Sequence, residues 1–227
     1  GEPIYEPDQV PWDLSFELLT TDPMPTVTPT GTPRPTETPG ESPTPTPTWE
    51  PEVKWAQPPQ YNDQSPNPMC FWGWDEYSVY NGQQITADDW LCEEERPVTR
   101  IRWWGSYIGW DGSEPPQPAP VLFHIGIWTD VPAGVSAPWS HPGTMVWEAV
   151  VPLPDLRETY AGCDFYPGHA LDTCFTYEYD IPDDQWFIQE PGSNIYWLSI
   201  SAIYQSPPDL HAWGWKTREH FFNDAAI

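Results

Sequence analysis

Residues 10–20 read V-P-W-D-L-S-F-E-L-L-T, and apolar and polar positions alternate through them. Val10, Trp12, Leu14, Phe16 and Leu18 share one face, with Pro11, Asp13, Ser15, Glu17 and Leu19 on the other. A period of two is the pattern of a strand with one buried side. A lone strand of this kind is not stable in water, so it must join a sheet. Pro11 lacks an N–H but sits near the strand start, where a ladder bond can be spared. Beyond residue 22 the alternation stops. Residues 23–48 are almost wholly Pro, Thr, Ser and Gly, with Met24 and Val27 as the only large apolar side chains. Such a segment cannot build a core. Its proline content makes it an extended spacer, reaching roughly 80 Å at ~3.1 Å per residue.

From residue 49 to 227 apolar runs recur between Pro, Gly and Asp turns. They predict strands at 84–87, 98–107, 121–129, 144–152, 174–181, 186–189, 194–204 and 212–217. No stretch holds a helical period. The expected fold is therefore all-β: an antiparallel β-sandwich, jelly-roll-like, preceded by an isolated N-terminal strand and a Pro/Thr-rich spacer. Three segments follow: 1–22 with the strand, 23–48 as spacer, and 49–227 as one Trp-rich domain. Val121, Phe123, Ile125 and Ile127 share a face in one strand, and Trp103 shares one with Ile101 in another.

Composition narrows the partners. There are 34 carboxylates against 8 Lys plus Arg, a net charge of −26, and the lysines are Lys54 and Lys216 alone. That surface repels phosphate backbones and anionic lipid, so neither nucleic acid nor a membrane is an expected partner. No run of about 20 apolar residues exists to span a bilayer. No basic and apolar leader precedes Gly1, so the chain reads as mature or trimmed. The even set Cys70, Cys92, Cys163 and Cys174, beside a Pro/Thr tract, favours disulfides and a secreted, extracellular or cell-surface location. Local pairing, Cys70–Cys92 and Cys163–Cys174, is preferred over Cys92–Cys174, and all four thiols are expected to be oxidised. Thr26, Thr28, Thr30, Thr32, Thr36, Thr38, Thr44, Thr46 and Thr48 have the composition of an O-glycosylated stalk. No N-x-[ST] sequon occurs.

Candidate chemistry is sparse. The chain carries no G-x-S-x-G, H-E-x-x-H, P-loop or G-x-G-x-x-G, and none of its histidines lie at metal-ligand spacing. No catalytic residue and no cofactor are assigned, and no enzyme activity is expected. Calcium is the one ion with any support, from acidic turns expected at Asp88-Asp89, Asp111 to Glu114 and Asp183-Asp184. None fits the EF-hand pattern. Sixteen Trp residues raise a second theme, because planar aromatics stack on sugar rings. Trp72, Trp74, Trp110, Trp213 and Trp215 are the surface candidates for glycan stacking.

Several motifs carry a resemblance. They are K-W-A-Q-P-P at 54–59, A-D-D-W-L-C at 87–92, R-I-R-W-W-G-S at 100–106 and I-W-T-D-V-P at 127–132. H-P-G-T-M-V-W at 141–147, I-Y-W-L-S-I-S-A at 195–202 and G-W-K-T-R-E-H-F-F-N-D-A-A at 214–226 follow in order. Residues 54–226 thus resemble a domain of unknown function found in secreted bacterial, planctomycete-like proteins. The resemblance implies a secreted or surface β domain and supplies no catalytic residues. The expected function is that of an extracellular, non-enzymatic structural or adhesive protein. It would polymerise with itself head to tail by donating the N-terminal strand. The alternative is a carbohydrate-binding module on a glycosylated stalk.

Overall fold

The computed structural model describes residues 1–5, 10–21, 51–61, 70–82, 84–169, 171–206, 208 and 210–227. In chain order the strands are β1 (Trp12–Leu14), β2 (Phe16–Thr20), β3 (Glu52–Gln57), β4 (Cys70–Trp72), β5 (Asp75–Tyr77), β6 (Thr86–Cys92) and β7 (Arg100–Tyr107). They continue as β8 (Leu122–Val131), β9 (His141–Pro152), β10 (Arg157–Phe165), β11 (Asp172–Asp180), β12 (Asn194–Ile203) and β13 (Trp213–Glu219). Two short 3₁₀ turns, Tyr80–Gly82 and Leu153–Asp155, are the helical elements among the described residues.

Four strands form one sheet in the order β6-β12-β8-β9. The other nine form a branched sheet whose main path is β1-β13-β7-β11-β10-β4. On that sheet β2 pairs with β3 and β7, and β5 pairs with β13. Every strand pair is antiparallel except β4 with β10. The inner faces meet in one core. Phe123, Ile125 and Ile127 of β8 and Leu198 and Ile200 of β12 come from the small sheet. Ile101 and Trp103 of β7, Phe175 and Tyr177 of β11, and Trp213 and Trp215 of β13 come from the large one. The alternation is what two packed sheets require, since every second side chain points inward.

The expected all-β sandwich is thus the observed fold. The run at 186–189 is corrected: Phe187 makes an isolated bridge to Val98, and Ile188 faces solvent. Val121 is exposed and lies just before β8, apart from the three residues it was grouped with. Four strands, β3, β4, β5 and β10, have no counterpart in the periodicity. Strand β10 mixes polar and apolar residues and is open on both sides only over its first four, so no apolar alternation marks it. Strands β4 and β5 are three residues each, too short for a period to register.

Candidate functional site: the groove that holds the N-terminal strand

One long edge of β7 is shared between two partners. Arg100 to Trp103 pair with β2, whereas Gly105 to Tyr107 pair with β13. The two ladders diverge at Trp104, and β13 runs on to pair its far end, Thr217 to Glu219, with β1. The N-terminal segment therefore sits in a fork. Its first half lies along β13 and its second along β7, and Ser15 is the crossing point. Ser15 N–H donates to the Lys216 carbonyl at 2.8 Å, and the Ser15 carbonyl accepts from Trp104 N–H and from Trp215 Nε1 at 3.0 Å. Above Gly105 the strands close up: a Cβ there would meet the Gly214 carbonyl at 2.5 Å, so only glycine fits. The outer edge of β2 is covered by β3, with Phe16 opposite Gln57 and Leu18 opposite Trp55.

Leu14, Phe16 and Leu18 are completely buried in the core between the sheets. Phe16 packs against Trp90 and Trp215, with ring centres 6.4 and 6.1 Å apart. Two members of the anticipated apolar face depart from it. Val10 is about half exposed, and Trp12 packs with Trp74 and Tyr166 instead. The opposite face is held by carboxylates. Asp13 accepts from the backbone of Phe221 (2.6 Å) and Phe222 (3.1 Å) and pairs with His220 at 2.9 Å. Asp88, on β6, accepts from Leu14 N–H and from Gln57 Nε2, both at 2.6 Å. Gln57 also donates to the Leu14 carbonyl, so one amide clamps strand and carboxylate together. Burial pushes the Asp13 carboxyl up against the opposing pull of His220. Burial, with the charges of Asp13 and Asp89, pushes Asp88 well above the usual range. The groove has thus been built around one strand, by hydrogen bonds on both edges and apolar contact below.

A family model described as a domain of unknown function, DUF7901, matches residues 53–227. The chain belongs to the DUF7901 family. None of the curated proteins or solved structures compared matches it. The DUF7901 region begins inside β3, so it contains the groove but not the strand that fills it. The expected resemblance over 54–226 is met at the level of a domain of unknown function.

Several expected positions within the DUF7901 domain are corrected. The disulfide is Cys70–Cys163, because β4 and β10 pair in parallel with these two residues in register. Cys92 and Cys174 are buried free thiols, one on each sheet, so neither local pairing nor Cys92–Cys174 occurs. Trp74, Trp213 and Trp215 are buried, the last two entirely, and their rings are closed to a glycan. Only Trp72 and Trp110 keep part of their surface open, and Trp110 donates its Nε1 to the Glu114 carbonyl. Asp88 and Asp89 lie buried within β6 rather than in a turn. Asp111, Glu114, Asp183 and Asp184 are exposed. Among the described residues no group of three or more His, Cys, Asp or Glu is placed to hold a metal. The nine spacer threonines lie outside the described residues. No helix among the described residues is long and apolar enough to cross a membrane. The Cys70–Cys163 disulfide is compatible with an extracellular location.

The acid cluster around Asp13 and Asp88 is a feature of the groove that the sequence did not reveal. A pair of adjacent aspartates between Thr86-Ala87 and Trp90-Leu91 is the signal that it leaves. Read alone, it is indistinguishable from a turn.

Proposed function

We propose that this is a secreted, non-enzymatic structural protein of the cell exterior. It links subunits head to tail by exchanging its N-terminal strand, with an O-glycosylated spacer between strand and domain. The observation that carries this reading is that β1 and β2 complete the DUF7901 core yet enter it from outside the DUF7901 region. Residues 21–51 connect the strand to β3, its neighbour in the sheet. The same groove accepts the strand of its own chain or of another copy with identical contacts, which is the requirement for a swap. The balance between the two is then set by effective concentration. Tethering on the same chain holds a strand beside its groove at an effective concentration on the order of millimolar. Dilute protein closes on itself, and crowding at a surface at or above that level favours the open chain of subunits. A carbohydrate-binding module is the weaker reading, since it retains only Trp72 and Trp110.

The test is refolding from denaturant at graded protein concentration, followed by sizing and negative-stain imaging. Monomer from dilute solution and a ladder of oligomers from concentrated solution are expected. A variant lacking residues 1–22 should form no ladder and should bind a synthetic peptide of residues 10–20. Monomer at every concentration, up to millimolar, would overturn strand exchange.

A further inference from the structure

The outer face of the large sheet carries a second buried group of polar side chains, away from the groove. Lys216 of β13 is completely buried, and its Nζ lies 3.3 Å from Oδ1 of Asp164 on β10. Asp75 of β5 stands directly opposite Lys216 in the β5–β13 register. Asp75 and Asp164 are both at least nine-tenths buried. Lys216 Nζ and the four oxygens of Asp75 and Asp164 make no well-aligned hydrogen bond, and among the described residues Asp164 has only Asp75, Lys216 and the Cys174 thiol within reach. An ammonium has three N–H donors to satisfy, and leaving them unmet away from water is strongly unfavourable. Gly73 roofs the site: a Cβ there would come within 2.8 Å of Nζ. Phe71, Trp104 and Cys174 form an apolar cluster beside it. The Cys70–Cys163 disulfide fixes the residue next to Asp164. An amine, a carboxyl and a second carboxyl are therefore held together in a dry, rigid place with no other task.

We propose that Lys216 and Asp164 condense into an intramolecular isopeptide bond, with Asp75 as the proton shuttle. A proton first passes from Nζ to Asp164, which converts an unsolvated ion pair into an amine beside a carboxylic acid. The Nζ lone pair then attacks Cγ of Asp164, and the N–C bond forms. The Asp75 carboxylic acid takes a proton from the nitrogen on one oxygen and gives its own to the departing hydroxyl. The C–O bond breaks, one water leaves, and Asp75 is protonated as at the start. No oxidant or reductant takes part. Burial, reinforced by the charge of Asp164, holds Asp75 protonated well above the usual carboxylate range, as a shuttle requires. The bond replaces two buried charges by one neutral amide and ties β10 to β13. Together with Cys70–Cys163 it makes β4, β10 and β13 covalently continuous. This inference does not rest on strand exchange.

The test is the intact mass of the full chain, produced in a host that adds no glycans, then reduced and denatured. The expected mass is that of the sequence less one water, with a branched peptide joining residues 164 and 216 after proteolysis. Lys216→Arg and Asp75→Asn should return to the mass of their own sequences. Asp164→Asn keeps an electrophilic carbonyl, so it should lose ammonia and reach the same final mass as wild type. A wild-type mass equal to the full reduced sequence would overturn the proposal, whatever the variants do. So would a water loss that persists in Lys216→Arg, which would place it at the Asp111-Gly112 step as a cyclic imide.

Discussion

Burial pushes the Asp89 carboxyl up to about 8, against the hydrogen bond donated by Asn223 and with the charges of Asp13, Asp130 and Asp224 adding to the rise. Asp172 is raised in the same sense, to about 6, again chiefly by burial. A carboxyl raised on folding binds its proton more tightly in the native state than in the unfolded chain. Its stabilising contribution is complete below the unfolded value of 3.8 and is lost as pH climbs through the folded value. The outer face works the other way. Burial would raise Glu178 and Asp180, but Arg157 with Arg102 or Arg100 holds both below the ordinary range. These two lose their contribution as pH falls through that range, although their exposure to solvent keeps it small. Stability should therefore be greatest in mild acid and should decline from about pH 5 to about pH 8. Thermal melts across that interval check this. Asp89→Asn keeps an acceptor for Asn223 and removes the charge, so it should raise the midpoint at about pH 8 and flatten the slope. A profile identical to wild type would show that Asp89 ionises without cost.

Strand β2 contributes more to the core than its five residues suggest. Phe16→Ala should lower stability by about 3–5 kcal/mol, because a buried aromatic is removed from a site walled by Trp90 and Trp215. Val10→Ala, at an exposed position one residue outside the pairing, should stay within about 0.5 kcal/mol of wild type. Denaturant melts compare the two. Equal effects would mean that the N-terminal strand is not part of the cooperative unit. Alternation made this strand legible, together with β7, β8 and β13, whereas β12 showed as a run apolar on both faces. It could not tell inside from outside: Trp213 and Trp215 share a face by spacing alone, and only the partner sheet shows that the face is the inner one. The cysteine pairing was illegible for a related reason. Cys70 meets Cys163 across 93 residues through a parallel contact that no local pattern encodes. The acidic pair Asp88-Asp89 misleads because its partners, Leu14, Gln57 and Asn223, come from three remote segments.

At the scale of the molecule, a net charge of −26 sets every subunit against its neighbours. Among the described residues cations are already engaged: Arg102 with Glu17 and Glu178, Arg157 with Glu178 and Asp180, and Lys54 with the Arg96 carbonyl and Gln189. Little positive surface remains among the described residues to draw a second copy in. Exchange driven by apolar burial should therefore strengthen with salt, because screening shortens the range of repulsion to about 10 Å at 0.1 M. Sizing of concentrated refolded protein at low and high ionic strength reads this directly. Oligomers that dissolve on adding salt would indicate a charge-driven contact instead.

The position of β2 between β3 and β7 also governs how a joined pair of subunits would carry tension. Antiparallel ladder bonds run perpendicular to the strand, so a pull along its axis loads all of them, on both edges, together. None can open ahead of the rest, as they would if the strand were peeled from a free edge. The carboxylates of Asp13 and Asp88 add lateral pins to the same rod. A strand held in this way yields abruptly and at high force, like a pin drawn from a hinge.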